Sequence, residues 1–203
     1  MAEENRILRT PPGILTYPHL FELFALDKEK PTELSYSTSV LFDAEAQATA
    51  EWASLKAEAN RVARERFGDD LPRLLAEGEF KSPFLDGNKY AAKNPEAAGK
   101  VMLRLKTTMK PGIVDAQVRP ITDTSKVYPG AIAIVSVGCY AYPKPGATGP
   151  KAANKGVSFG LRNVQIVRSD TPALGNISRP DQDFVPLGAG AVQANGGDPD
   201  ALF

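Results

Sequence analysis

Positively charged and aromatic side chains are interleaved in the middle of this 203-residue sequence. Residues 100–170 carry 11 lysines and arginines against 3 aspartates and glutamates, although the whole chain has no net charge. Within this region Tyr140, Tyr142 and Lys144 occupy alternate positions before a Pro/Gly break. Because cations neutralise phosphates and flat rings stack on bases, this combination predicts a surface for nucleic acid. A soluble, lysine-rich surface without such a ligand is the alternative that charge alone leaves open.

A second mixture of this kind occurs in the segment "KSPFLDGNKYAAK", where Lys89 and Tyr90 follow a glycine. In a loop, such side chains can stack on bases while they neutralise phosphates. The alternative is a surface loop whose aromatic rings point inward. The predicted nucleic-acid-binding residues of the chain are Arg104, Lys106, Tyr140, Tyr142, Lys144, Lys89, Tyr90, Lys155 and Arg162.

The residues that usually perform catalysis are sparse. Cys139 is the single cysteine, so no intrachain disulfide can form, and with His19 as the single histidine a zinc site would lack ligands. The sequence contains no Gly-x-Ser-x-Gly motif and no phosphate-binding loop. Asp115 and Asp123 leave a magnesium-dependent nuclease as an alternative. We predict a protein that is not an enzyme and that has no cofactor or bound metal.

The sequence ends in "GDPDALF", which follows the glycine-rich stretch "GAGAVQANGG". Two acids, Asp198 and Asp200, precede Leu202 and Phe203. Such a segment could occupy a basic groove through its acids, or place its apolar residues in a pocket of a partner protein. The alternatives are that Phe203 packs back on the domain or docks on a neighbouring copy. We predict a partner-binding tail.

These side chains need elements to position them, and the pattern of the sequence favours strands. With 17 glycines and 17 prolines, short strands and turns are expected rather than a helical bundle. The segment "LSYSTSVLF", residues 34–42, alternates like a strand. Asp43 then resembles an N-cap for one amphipathic helix over 44–67, with Trp52 on its apolar, core-facing side.

Three further segments predict strands. One begins at Val101 and places Arg104 and Lys106 on its solvent side, and a second runs from Ala131 towards Tyr142. In the third, "NKGVSFGLRNVQIVR", the apolar residues change parity, which predicts a bulge near residues 160–163. The predicted fold is β-rich (α+β). It is an OB-like, five-stranded curved barrel with one covering helix, a long loop insertion and an extended C-terminal tail.

The domain organisation follows from the same pattern. We expect one domain over residues 1–173, with its helix at about 43–67 and its loop insertion at about 69–99, and a Gly/Pro-rich acidic tail over residues 174–203. No apolar run is long enough for a membrane span, and the first ten residues do not resemble a signal peptide. The expected location is the cytoplasm.

The phrases "PPGILTYPHLF", "KTTMKPGIVD", "VYPG", "NKGVSFGLRNVQIVR" and "DQDF" occur in this order along the chain. In this pattern the sequence resembles the OB-fold single-stranded DNA-binding proteins of tailed phages. The resemblance implies a protein of phage DNA replication and recombination that coats single strands without regard to sequence. It further implies that replication proteins such as DNA polymerase are partners, reached through the tail. Self-association is left open, and the alternative function is a virion or packaging protein that holds nucleic acid.

Overall fold

Alternating apolar and polar residues form nine β-strands in the described part of the chain, and all of them join one sheet. A computed structural model describes residues 6–25, 29–143, 146, 148 and 153–175. The strands are β1 (Ile7–Arg9), β2 (Gly13–Ala25), β3 (Leu34–Phe42), β4 (Phe80–Lys81), β5 (Leu85–Asp86), β6 (Val101–Thr107), β7 (Gly112–Val114), β8 (Ile132–Tyr142) and β9 (Lys155–Arg168). The helices are α1 (Ala44–Gln47), α2 (Ala50–Phe67) and α3 (Leu71–Ala76), with 3-10 helices at Gly68–Asp70, Gly87–Tyr90, Pro95–Ala97 and Thr124–Lys126. No helix in these ranges has the length and apolar character that crossing a bilayer requires.

The sheet curves because five of its strands pair in a ring. β2 pairs with β3, β3 with β6, β6 with β9 and β9 with β8, and β8 returns to β2. The ring is weakest between β6 and β9, where a single residue pair, Lys106 with Gly160, joins the two strands in parallel. The sheet is therefore curved but open along this seam. This confirms the predicted OB-like, β-rich fold with one main helix.

The pairing of β8 with β9 contains the predicted bulge. Val137 lies opposite Leu161, but Ser136 lies opposite Asn163, so Arg162 is an extra residue in β9. Because of this extra residue, Leu161 and Val164 are both buried in the same core although their parity in the sequence differs. This bulge confirms the predicted cause of the change in parity along β9.

The long helix covers the inner face of the sheet, as expected, but it is interrupted. Asp43 accepts a hydrogen bond from the Ala46 amide and caps α1, as predicted. The single helix predicted over 44–67 is wrong in one respect, because α1 ends at Gln47 and Thr49 caps the start of a second helix, α2. Its hydroxyl donates to the Ala46 carbonyl and accepts from the Trp52 amide. Trp52 is 2% exposed and lies in the core, which confirms its predicted structural role.

The predicted loop insertion at 69–99 contains the short helix α3 and several short ordered elements after it. Its Phe84 ring packs against Trp52 and against Phe159, with centroids 5.1 and 5.8 Å away, so this ring points inward. Gly87 packs against the backbone just before β6, where its amide donates to the Lys100 carbonyl and an added Cβ would be 2.5 Å from that oxygen. The insertion is thus fixed to the domain at both of these points.

The first two strands and the end of the described chain were not predicted. β1 pairs with β8, and β2 is irregular because its pairing with β3 shifts twice. Such shifts break the simple alternation by which a strand is recognised in a sequence. At the other end the Leu174 amide donates to the Pro129 carbonyl, and the Tyr128 hydroxyl donates to the Thr171 carbonyl. Residues 171–174 therefore contact the body of the domain, next to the boundary expected at 173.

Two glycines on the same face of β9 test the register in which β9 pairs with its neighbouring strands. A Cβ added at Gly156 would lie 2.4 Å from the Lys81 carbonyl oxygen, whereas one added at Gly160 would meet nothing closer than 3.7 Å. Gly156→Ala should therefore lower the free energy of unfolding by about 1–3 kcal/mol through overpacking. Gly160→Ala is the matched control and should change it by less than about 0.5 kcal/mol. Chemical denaturation of both variants measures the difference, and equal destabilisation would contradict the register.

Candidate nucleic-acid interface

The outer face of the curved sheet carries small residues at its centre and cations beside them. Ser39 on β3 lies opposite Arg104 on β6, and Ser37 lies opposite Lys106. Lys106 in turn lies opposite Gly160 on β9. Directly paired residues share a face of a sheet, so these side chains lie on one surface. The intervening residues Leu103 and Leu105 are buried, and so the core and this outer face divide β6 between them.

This outer face forms the floor of a groove with a cavity of about 540 Å³. The walls come from the irregular part of β2, which contributes Tyr17, and from the insertion, which contributes Tyr90, Lys93 and Asn94. The complete lining is Tyr17, Ser37, Thr38, Ser39, Tyr90, Lys93, Asn94, Met102, Arg104, Leu105, Lys106 and Ser158. We call this cavity and its lining the groove.

The charge of the groove is positive. Lys93, Arg104 and Lys106 are its ionisable cations, and none of the described residues that line it is an aspartate or a glutamate. All three are exposed. A concave surface with charges of one sign raises the local concentration of ligands of the opposite sign. The groove therefore favours an anion that is long enough to reach several cations.

Arg104 and Tyr90 form the best-defined contact in the groove. The guanidinium carbon of Arg104 lies 4.6 Å from the centroid of the Tyr90 ring, within the range of a cation–π interaction. This contact joins β6 to the insertion and holds a flat ring beside a positive charge. Two residues that were predicted from separate segments are thus brought together.

Tyr140 and Tyr142 extend the same face onto β8. They lie opposite Ser158 and Gly156 of β9, and an added Cβ at Gly160 would be 3.7 Å from the Tyr140 ring. Tyr140 is 39% exposed. Tyr142 is half-buried, and this burial raises the pKa of its hydroxyl. Both rings therefore lie on the face of the sheet that forms the groove floor, and Lys144 is outside the described residues.

The other predicted residues are placed less centrally. Lys155 contacts Glu79, with 3.3 Å between Nζ and the carboxylate oxygen, and it has the parity of the inward residues of β9. Arg162 is the extra residue of the bulge, and neither of these two lines the groove. Lys89 is exposed next to Tyr90 without lining the cavity. Asp198, Asp200, Leu202 and Phe203 lie outside the described residues.

Sequence reasoning missed the contribution of β2. Tyr17 is 54% exposed, lines the groove and has a φ of 49°, which is unusual for a residue with a side chain. Two residues further on, His19 stacks on Phe24 with 3.9 Å between ring centroids. The phrase "TYPHLFELF", residues 16–24, carries these three rings, and its density of aromatic residues was the signal. The irregular pairing of β2 hid the surface that they would share.

The residues that were considered for catalysis are either buried or hydrogen-bonded to neighbours in the chain. Cys139 is buried, and burial raises the pKa of its thiol to about 12, so it is a poor nucleophile. The Asp115 carboxylate accepts hydrogen bonds from the Arg119 amide and side chain and from the Gln117 amide, which lower its pKa. Asp123 similarly accepts from the Ser125 hydroxyl and amide. Within the described ranges no three His, Cys, Asp or Glu residues are grouped as a metal site would need.

The fold and this groove place the chain in the class of OB-like β-proteins with a basic, aromatic outer face. Its sequence matches the family model described as the single-stranded DNA-binding protein of Enterobacter phage Enc34, over residues 13–195. The chain belongs to this family, and the resemblance to phage single-stranded DNA-binding proteins is confirmed. No protein of curated function gives a significant match.

Solved structures support the assignment of the fold. The single-stranded DNA-binding protein from bacteriophage Enc34, solved in complex with single-stranded DNA, has a TM-score of 0.64 and 14% identity, covering 85% of this chain and 91% of that one. Gp2.5, a single-stranded DNA-binding protein encoded by bacteriophage T7, has a TM-score of 0.55 and 15% identity, covering 95% of this chain and 98% of that one. At such low identity the likeness is one of fold.

The contact between Arg104 and Tyr90 can be tested in the free protein. In a double-mutant cycle with Arg104→Ala and Tyr90→Ala, the coupling energy should be about 0.5–1 kcal/mol in favour of the pair, the size of an exposed cation–π contact. The measurement is urea denaturation of the wild type, the two single variants and the double variant. A control cycle pairs Tyr90→Ala with Lys56→Ala, since Lys56 is exposed on α2, and should give no coupling. Coupling of equal size in both cycles would contradict a direct contact.

Proposed function

We propose that the protein binds single-stranded DNA in the groove without strong sequence preference and acts in phage DNA replication and recombination. The observation that carries the proposal is the meeting of Arg104, Lys106 and Tyr90 in one groove of a chain that belongs to this family. A related protein of this fold has been solved in complex with single-stranded DNA. The proposed place of action is the cytoplasm of an infected host.

The chemistry of the groove suits a flexible, unpaired strand. Stacking of an aromatic ring on a base contributes about 1–3 kcal/mol and works for every base, because every base has a flat face. In this proposal Tyr90, Tyr140 and Tyr142 stack on bases, as does Tyr17. A duplex hides those faces between its stacked base pairs, so it would lose this contribution.

The cations would supply the phosphate contacts. Arg104, Lys106 and Lys93 line the groove, Lys89 is exposed beside it, and Lys144 is proposed to join them. Each phosphate that is neutralised on a single strand steepens the salt dependence of binding by about 0.7 on a log–log scale. Lys155 and Arg162 remain proposed contacts, with a smaller expected contribution because they do not line the cavity.

The acidic tail is proposed to compete with DNA and to recruit partners. Residues 171–203 contain four acids and one arginine, and residues 100–170 have the opposite excess. Asp198 and Asp200 would interact with the cations of the groove when DNA is absent. When DNA displaces them, Leu202 and Phe203 would become available to replication proteins such as DNA polymerase.

Loss of a groove cation should weaken binding and flatten its salt dependence. Arg104→Ala and Lys106→Ala should each reduce the slope of log affinity against log salt by about 0.7, which is the release of one phosphate contact. The measurement is anisotropy of a labelled oligo-dT across a salt series. It should not rely on tryptophan emission, because Trp52 is buried in the core.

Lys56→Ala is the matched control, because it removes an exposed cation on the helix that covers the inner face. It should leave both the affinity and the slope unchanged. If all three variants behave alike, the groove is not the DNA site. If the wild type prefers duplex DNA or binds both forms equally, the packaging function is favoured instead.

Removal of residues 197–203 should tighten the binding of oligo-dT at low salt, because it removes two charges that compete with phosphate. The gain should vanish as salt rises and screens the competition. A variant with Asp198→Asn and Asp200→Asn that retains Leu202 and Phe203 separates the two proposed roles. It should bind DNA as tightly as the truncation but still capture a polymerase partner. Unchanged DNA affinity in both variants would refute the competition.

A further inference from the structure

Two polar groups of the groove lack hydrogen-bond partners. In the described part of the chain, three buried side-chain nitrogen or oxygen atoms have none, namely Ser37 Oγ, Asn94 Nδ2 and Trp52 Nε1. The first two belong to residues that line the groove, one from its floor and one from its wall. Trp52 is in the core, away from this surface. Two of the three unmet groups therefore share one cavity.

An unpaired buried hydroxyl is costly, which makes its position informative. Ser37 is only 5% exposed, and it lies between His19 on β2 and Lys106 on β6 in the sheet register. Leaving a buried polar group unsatisfied costs roughly 1–3 kcal/mol, and an alanine would fill the same place without that cost. A serine at this point of the floor is explained if a ligand supplies its partner.

The edge of a nucleobase has the required chemistry. It presents hydrogen-bond acceptors, which suit the Asn94 amide donor, and the Ser37 hydroxyl can either donate or accept. The cavity of about 540 Å³ is large enough for a base, and it is walled by the Tyr17 and Tyr90 rings. Phosphate, in contrast, would be met by the exposed ends of Arg104 and Lys106.

We infer that at least one base of the bound strand enters the groove edge-first and hydrogen-bonds to Ser37 and Asn94, while its phosphate contacts the exposed ends of Arg104 and Lys106. This inference rests on the proposed function and adds the orientation of the strand to it. Because the hydroxyl rotates to donate or to accept, the contact does not select one base strongly. Hydrogen bonding at the base edge is thus compatible with sequence-tolerant binding.

The test compares oligo-dT with an oligonucleotide of the same length that carries no bases on its sugars. Ser37→Ala should lower the affinity for oligo-dT about two- to tenfold, the worth of one hydrogen bond, and leave the affinity for the abasic strand unchanged. Ser35→Ala is the matched control, since it is the same substitution on the same face of β3 but outside the groove lining. It should change neither affinity. Asn94→Ala, which changes the wall of the groove rather than its floor, should reproduce the base-dependent loss.

The stability of the free protein supplies a second readout. Ser37→Ala removes an unsatisfied hydroxyl and should leave the thermal midpoint unchanged or raise it, although it weakens DNA binding. A variant that binds poorly because it is misfolded would instead have a lower midpoint, and Asn94→Ala would then carry the test alone.

The outcomes separate the two proposals. If the wild type binds neither oligonucleotide, the proposed function fails. If it binds oligo-dT but Ser37→Ala and Asn94→Ala both lose no affinity, or lose it equally for the two strands, the edge-first orientation is wrong and the function stands.

Discussion

The pairing of β8 with β9 is the contact on which the rest of the structure depends. Its bulge at Arg162 lets Leu161 and Val164, which differ in parity, enter one core under α2. Without the extra residue, one half of β9 would turn its apolar side chains to solvent. The bulge therefore lets the sheet curve around a single core. The small and charged residues of the strands lie on the opposite face.

The outer face gains its shape because the strands direct most of their large apolar residues to the core and their other residues outward. Since most of the large apolar side chains point inward, the floor of the groove includes three serines, Ser37, Ser39 and Ser158. A floor of small residues leaves room for flat groups, and the long side chains of Arg104 and Lys106 supply charge above it. The insertion completes the wall because Phe84 and Gly87 anchor it, so the position of Tyr90 depends on the packing of the core.

The sequence predicted those features that depend on local alternation. The strand at 34–42, the inward Trp52, the bulge and the solvent side of β6 all follow from the spacing of apolar residues. The groove walls could not be predicted in this way. Tyr17 lies where β2 leaves regular pairing, and Asn94 lies in an insertion whose position is set by contacts distant in sequence. Lys155 shows a second limit, since its place beside the final strand suggested the groove, whereas its side chain has the parity of the inward residues of β9 and contacts Glu79.

The groove also shows why binding and stability oppose each other at one surface. Under the proposed function, a face that receives bases cannot be filled by its own side chains, and polar groups that meet the strand are unsatisfied in the free protein. The contact of Arg104 with Tyr90 reduces this cost, because each group has a partner while the groove is empty. In the proposed complex a base stacks on the ring and a phosphate contacts the guanidinium, so the same two residues would exchange one partner for another. Their contact therefore holds both groups at the groove in the free protein, and in the proposed complex both would turn to the strand.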